Sequence, residues 1–455
     1  MIGNGIALLV VVWAAFMMVA RKFKPQPILL IAGLTLLFAS VLLHGGPVLD
    51  KKSTGSTWLD VFQLVADILG ERTGGSGMAI MAIAGFGAYM EHVGASKALF
   101  ALVGAPLGCI RSPYVLLVGA FLVTQVLVLF IPSHTGLGLL LMATMYPILI
   151  RLGVTPLSAL AVIGCNQFID HGPCSMAEIY ASTVSGLDPV TYFVKYQLPV
   201  SLPIIAVVAG THFFIQRFWD RTDGCLPQTN LMEEKTTGAG MPPLIYAVLP
   251  VVPFGLVLVF SPVFNTGVKM DIITAMIISG GVALCFEYCR LRNLRDVLES
   301  LTVFFNGMGR IFASVVTLIV SGETFGAGLV KIGAIDSMIQ ASQTAGFGVH
   351  AMVVVLSLVL AASAFVMGSG NAAFFSFAKI TPKIAAHLGV DTVTLLLPMQ
   401  IMTSFGRTVS PIAPPIVSIA AMAGVPPLQL VKRTAVPMAV AGTLNIVLNF
   451  LIFVK

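Results

Sequence analysis

Ser404-Phe405-Gly406-Arg407-Thr408-Val409-Ser410-Pro411 sets an arginine inside an otherwise apolar run, 391–424. A helix that crosses a bilayer needs about 20 apolar residues. An arginine at its centre costs at least ~2.5–3.5 kcal/mol on insertion. It persists there only if it faces a protected polar interior rather than lipid. The polar middle from Thr403 to Ser410 therefore predicts a broken span that lines a cavity. The planar guanidinium fork matches a carboxylate in bidentate fashion. Within the protein, the rival partners for Arg407 are Glu91, Glu323 and Asp170.

A second interrupted run lies far upstream. Residues 156–187 are apolar except for the stretch from Asn166 to Ser175, which carries the adjacent ionisable pair Asp170-His171. Asn166, Asp170 and His171 are candidates for a coupling ion: Asp170 and His171 for a proton, Asp170 for sodium. Asp170 could instead simply balance Arg407. Before each broken span comes a pair of apolar arms with a small, polar tip. Arms 113–131 and 137–150 meet at Ser133-His134-Thr135-Gly136. Arms 349–367 and 372–388 meet at Gly368-Ser369-Gly370-Asn371. Hydroxyls, an amide and glycine suit close approach of backbone to a ligand. Re-entrant hairpins are expected at about 113–152 and 349–388. Exposed helix N-termini at such breaks favour anions, and loose carbonyls favour cations.

The rest of the chain agrees with a membrane setting. Of 455 residues, 57% are hydrophobic and 10% charged, against roughly 25% charged in soluble domains. So few charges cannot cover a water-exposed surface, so the partner surface is a lipid bilayer. The net charge of +6 comes without a basic, aromatic-interleaved run, which excludes nucleic acid as the expected partner. The six cysteines have no metal-ligand spacing, and no phosphate-binding loop occurs. An enzyme is not expected. No metal or organic cofactor is expected, only sodium or a proton as a coupling ion. The first apolar run, Ile6 to Ala20, precedes rather than follows its charges, Arg21, Lys22 and Lys24, as a first span does and a cleavable leader does not.

The landmarks recur at an offset of roughly 235 residues: Ser133 with Ser369, Pro147 with Pro382, Leu152-Gly153-Val154 with Leu388-Gly389-Val390. Internal repeats mark transporter folds. The expected organisation is a first repeat over 1–214, a charged cytoplasmic linker over 215–242, and a second repeat over 243–455. Lysine and arginine concentrate in the loops assigned to one side, Arg217, Arg290, Lys432 and Arg433 among them. This puts both termini outside and inverts the repeats. The fold class is an all-α polytopic membrane protein with two re-entrant hairpins and two broken helices. Glu91, Glu178 and Glu323 are further carboxylates within or near spans.

Thr135-Gly136-Leu137-Gly138, Leu140-Leu141-Met142-Ala143-Thr144, Gly368-Ser369-Gly370-Asn371-Ala372, Gly406-Arg407-Thr408-Val409-Ser410-Pro411, Val431-Lys432-Arg433-Thr434 and Ser112-Pro113-Tyr114 together resemble the anaerobic C4-dicarboxylate carriers of the DcuC type, within the ion transporter superfamily. The resemblance spans essentially the whole chain. It implies a homodimer in a bacterial cytoplasmic (inner) membrane, with a fixed scaffold, an elevator-type moving domain and a succinate- or fumarate-class substrate. It implies that Ser133, Thr135, Gly136, Ser369, Gly370, Asn371, Arg407, Thr408 and Ser410 line the site. His134, Asp170 and His171 depart from the family pattern. Citrate, an amino acid or an anion channel are the alternatives in function.

Overall fold

The computed structural model describes residues 2–19, 23–45, 47–49, 53–224, 242–264, 267–268, 270–337, 340 and 348–454. Arg21, Lys22, Lys51, Lys52, Lys269 and the linker charges Glu233, Glu234 and Lys235 lie outside them. Every regular element among the described residues is helical. The first half runs α1 (Ile2–Val19), α2 (Pro25–His44), α3 (Thr57–Gly74), α4 (Ser76–His92) and α5 (Ala95–Gly104). It continues through α6 (Pro113–Val128), α7 (His134–Arg151), α8 (Pro156–Gly164), α9 (Met176–Ser185) and α10 (Pro189–Thr222).

The second half begins with α11 (Leu244–Val259), α12 (Ile272–Leu291), α13 (Leu294–Lys331) and α14 (Val349–Met367). Then come α15 (Gly370–Phe377), α16 (Thr381–Leu388), α17 (Thr392–Thr408), α18 (Pro414–Ala423) and α19 (Pro427–Phe453). Six of these, α2, α10, α12, α13, α14 and α19, are long and apolar enough to cross a membrane. The run from α4 into α5 bends by 77° at Gly94, whose φ of 80° is the left-handed region that glycine enters freely. Large apolar side chains such as Leu9, Ile277, Leu358 and Leu451 are exposed, which suits a surface wetted by lipid.

Helix crossings rely on small residues, because lipid gives apolar side chains no reason to prefer each other and close backbone packing must do the work. The first part of α13 lies on α4 and the second part on α2. A Cβ added at Gly85 would lie 2.7 Å from the Phe304 carbonyl oxygen. One added at Gly33 would lie 2.7 Å from the Phe325 nitrogen.

Several sequence expectations change here. α10 continues to Thr222 instead of ending near 214, so Arg217, Asp220 and Arg221 belong to a helix and not to a linker. The reason is buried Arg433, expected as a loop charge. Its Nη1 lies 2.6 Å from Asp220 Oδ1 and its Nη2 2.7 Å from Asp223 Oδ2. Thr155 and Ser158 hydroxyls also donate to Asp220. α19 accordingly starts at Pro427, so Lys432 and Arg433 lie within a helix and not in a loop. The polar stretch Thr403–Ser410 is largely helical, and only 409–413 separates α17 from α18. The Thr403 and Thr408 hydroxyls donate to the Gln400 and Ser404 carbonyls one turn back, which satisfies them without unwinding. Glu323 sits inside continuous α13. It is 2.7 Å from Arg72 Nε and accepts the Tyr180 hydroxyl at 2.6 Å.

Replacing Arg433 by Met leaves Asp220 charged and buried. The expected loss is about 3–5 kcal/mol, read as a lowered thermal midpoint of the solubilised protein. Adding Asp220→Asn to that variant is expected to recover most of it.

Candidate functional site

A cavity of about 270 Å³ opens where the two helix–turn–helix tips and the two broken spans converge. One wall belongs to α4 and α13, through Ala84, Gly87, Ala88, Glu91, Gly307 and Arg310. The opposite side is made by Ser133, His134 and Thr135 of the first tip and Gly368 to Asn371 of the second. Gln167 and Arg407 close it between them.

Both tips are built alike. Ser133, in extended conformation, ends the turn before α7 and its hydroxyl oxygen accepts the Gly136 N–H at 3.0 Å. Ser369 does the same before α15, accepting from Ala372 at 3.2 Å. A helix leaves its first N–H groups without intrahelical acceptors. The serine caps take one at each tip. His134 and Thr135, and Gly370 and Asn371, keep theirs at the cavity. Two further helices begin there, α9 at Met176 and α18 at Pro414-Pro415. Four helix N-termini thus meet one space, and each carries partial positive charge. The prolines of α18 contribute this field without N–H donors.

Arg407 stands in the last turn of α17 and reaches into the first half of the chain. Its Nε and Nη2 donate to the Gln167 carbonyl at 3.1 and 3.0 Å, closing the frayed end that follows α8. Nη2 also lies 3.1 Å from His134 Nε2 and 3.5 Å from Asp170 Oδ2. Nη1 has no hydrogen-bond partner among the described residues, so one arm of the fork is free. Gly370 makes room for this path: a Cβ there would lie 2.9 Å from Arg407 Cδ and 2.9 Å from the Thr403 carbonyl oxygen.

Asp170 sits behind the guanidinium. It accepts the Ser175 hydroxyl at 2.9 Å, and its Oδ1 lies 3.3 Å from His134 Nε2. His134 Nε2 has one proton position for two neighbours. Protonated, it donates to Asp170, and bare, it accepts from Arg407. Asn166 Nδ2 donates to the His134 carbonyl at 2.6 Å and fixes the tip from behind.

Seven of the expected substrate residues therefore line the cavity: Ser133, His134, Thr135, Ser369, Gly370, Asn371 and Arg407. Gly136 lies just behind, against the Glu91 carboxylate, which a Cβ at that position would strike. Thr408 and Ser410 lie outside the lining. The Ser410 hydroxyl donates to the Phe365 carbonyl at 2.6 Å and ties the break to α14, while Thr408 turns back into its own helix. His171 is buried away from the lining, with Nδ1 3.3 Å from the Ile169 carbonyl oxygen. Sequence reasoning missed Arg310 and the Gln167 carbonyl. The signal for Arg310 was the one used for Arg407, a lone arginine amid apolar residues, but the polar face of the helix before it disguised it.

The family model for the C4-dicarboxylate anaerobic carriers matches residues 4–454. The chain is 35% identical over 450 residues to a probable anaerobic C4-dicarboxylate transporter of Vibrio cholerae, covering 98% of this chain and 97% of that one. It is 35% identical over 431 residues to the anaerobic C4-dicarboxylate transporter of Escherichia coli K12, covering 94% and 92%. Among solved structures, the Alcanivorax borkumensis YdaH transporter superposes with a TM-score of 0.61 at 14% identity, over 94% of this chain and 98% of that one. MtrF of Neisseria gonorrhoeae, of a class of antimetabolite efflux pumps, gives 0.59 at 10% identity over 95% of both. At these identities the likeness concerns the fold.

Gly370→Ala is expected to push the Arg407 side chain off the Gln167 carbonyl. Affinity for a small carboxylate should fall at least about tenfold, or ~1.4 kcal/mol, by titration calorimetry on the folded protein.

Proposed function

The chain belongs to the family of C4-dicarboxylate anaerobic carriers, and from there we propose that it carries succinate-, fumarate- and malate-class dicarboxylates across a bacterial inner membrane as a secondary active transporter. The observation that carries this reading is the meeting of a half-free arginine fork with four helix N-termini in one cavity. One substrate carboxylate takes Arg407 Nη1 and the amides of Gly370 and Asn371. The other takes the amides of His134 and Thr135, with Arg310 supplying a second cation from the far wall. Charge-assisted bonds of this kind are about twice as strong as neutral ones.

The movement we infer is of elevator type. The tips and broken helices, α6–α10 and α14–α19, travel as one body past α4 and α13. The facing wall supports this, because Ala84, Gly87, Ala88 and Gly307 present little side chain to catch on. The order of elements in the two halves supports an inverted repeat: paired arms, broken span and closing helix, once in α6–α10 and again in α14–α19. Homodimerisation, with both termini outside, goes with the family reading.

Asp170 is occupied by Arg407, His134 and Ser175. We therefore read it as the counter-charge of Arg407 and not as the carrier of an ion.

Uptake of labelled succinate into proteoliposomes tests the reading, with citrate and amino acids as competitors. Arg407→Lys keeps the charge and loses the fork. Its affinity is expected to fall about 10- to 100-fold, the worth of a hydrogen bond to a charged group at ~1.5–3 kcal/mol. Unchanged kinetics would remove Arg407 from the site. Arg310→Gln is expected to weaken succinate far more than a monocarboxylate, and equal effects on both would exclude a second-carboxylate role.

A further inference from the structure

Glu178 lies in the first turn of α9 and is completely buried. Its Oε2 accepts the Gly172 N–H at 2.9 Å, and its Oε1 has no partner. No cation of the described residues forms an ion pair with it. Arg407, the guanidinium beside neighbouring Asp170, is engaged by that carboxylate and the Gln167 carbonyl. An ionised carboxylate in this position carries an effective penalty of several kcal/mol. A neutral carboxylic acid carries that of an unsatisfied polar group, about 1–3 kcal/mol. Burial with one donor and no cation favours the acid form, so the side chain can serve as a proton store.

That store is wired to the cavity. The Gly172 N–H is shared with Gln197 Oε1 at 3.3 Å, and Gln197 Nε2 donates to the Asp170 carbonyl at 2.9 Å. Asp170 is the partner of Arg407. The titratable groups that face Glu178 are Asp170 and Cys174 from the break and Tyr192 from α10. Other charged groups on the packed helices are held elsewhere or exposed. Glu91 of α4 lies against the first tip, and Glu323 bonds Tyr180 on α9 and Arg72. Lys195 of α10 and Lys379 beyond α15 are exposed.

We propose that Glu178 is the proton-binding group of this carrier, neutral when a dicarboxylate occupies the cavity. The inference rests on the carrier reading above. Ionised, Glu178 would add a negative charge beside Asp170 and weaken the pull of Arg407 on a dianion. Neutral, it leaves that pull intact. Proton and dicarboxylate therefore favour each other, and linkage makes the effect reciprocal.

The test uses the full chain in proteoliposomes with a trapped pH-sensitive dye, comparing wild type with Glu178→Gln, which keeps the shape and is neutral at every pH. In wild type, succinate uptake is expected to bring protons in and to fall with rising pH, by no more than about tenfold per pH unit, as a single titrating group allows. In Glu178→Gln the dye signal and the pH dependence are lost while succinate–succinate exchange persists. A variant with the wild-type pH profile and proton signal overturns the inference, as does sodium-dependent uptake without a dye signal in wild type. Should the variant fail to fold, wild type alone decides: at a pH high enough that wild-type uptake has fallen, succinate added to weakly buffered solubilised protein must take up protons, and binding without proton uptake at that pH overturns the proposal. No succinate binding or uptake by wild type removes the carrier reading, and this inference with it.

Discussion

One guanidinium joins the two halves of the molecule. Arg407 leaves the end of α17, passes over Gly370 and finishes on the carbonyl of Gln167 at the broken end after α8. A carbonyl left open at a helix end inside a membrane protein needs a donor, and a buried arginine needs acceptors. Each break supplies what the other lacks. Asp170 then neutralises the arginine, Ser175 and His134 hold Asp170, and Asn166 holds the tip that carries His134. The breaks stay in place because their polar groups answer one another. The free arm of the fork and the uncapped amides are what remains for a ligand.

Elsewhere buried charge is closed off. Arg433 lies between Asp220 and Asp223, with two hydroxyls completing Asp220. Arg72 and Tyr180 converge on Glu323. Such pairs add little net stability over an apolar core, but removing one partner is severe. They fix which helices meet. Glu178 differs in having one donor and no cation.

Much of this was legible in the chain. Arginine in an apolar run, two serine-led tips and two interrupted spans are strong signals because a bilayer tolerates so few exceptions. The helix ends were harder. α10 and α19 run further than apolar length suggests, since Asp220 and Arg433 cancel each other at a distance of 213 residues, which no local pattern reveals. The extent of the second break was overread because threonine hydroxyls can return to their own helix. Thr408 and Ser410 entered the site through the family resemblance, and a hydroxyl's presence says nothing of whether a carbonyl already claims it. Arg310 escaped notice because the helix leading to it has a polar face of its own.

The Tyr180 hydroxyl on α9 and the Glu323 carboxylate on α13 belong, on the moving-body reading, to opposite sides of the sliding boundary. A bond of 2.6 Å admits almost no relative displacement. On that reading it would be a click-stop, intact at one station of the stroke and absent at every other. The dwell at that station, and hence the tempo of the whole cycle, would then be set in part by a contact remote from the guest's own binding groups.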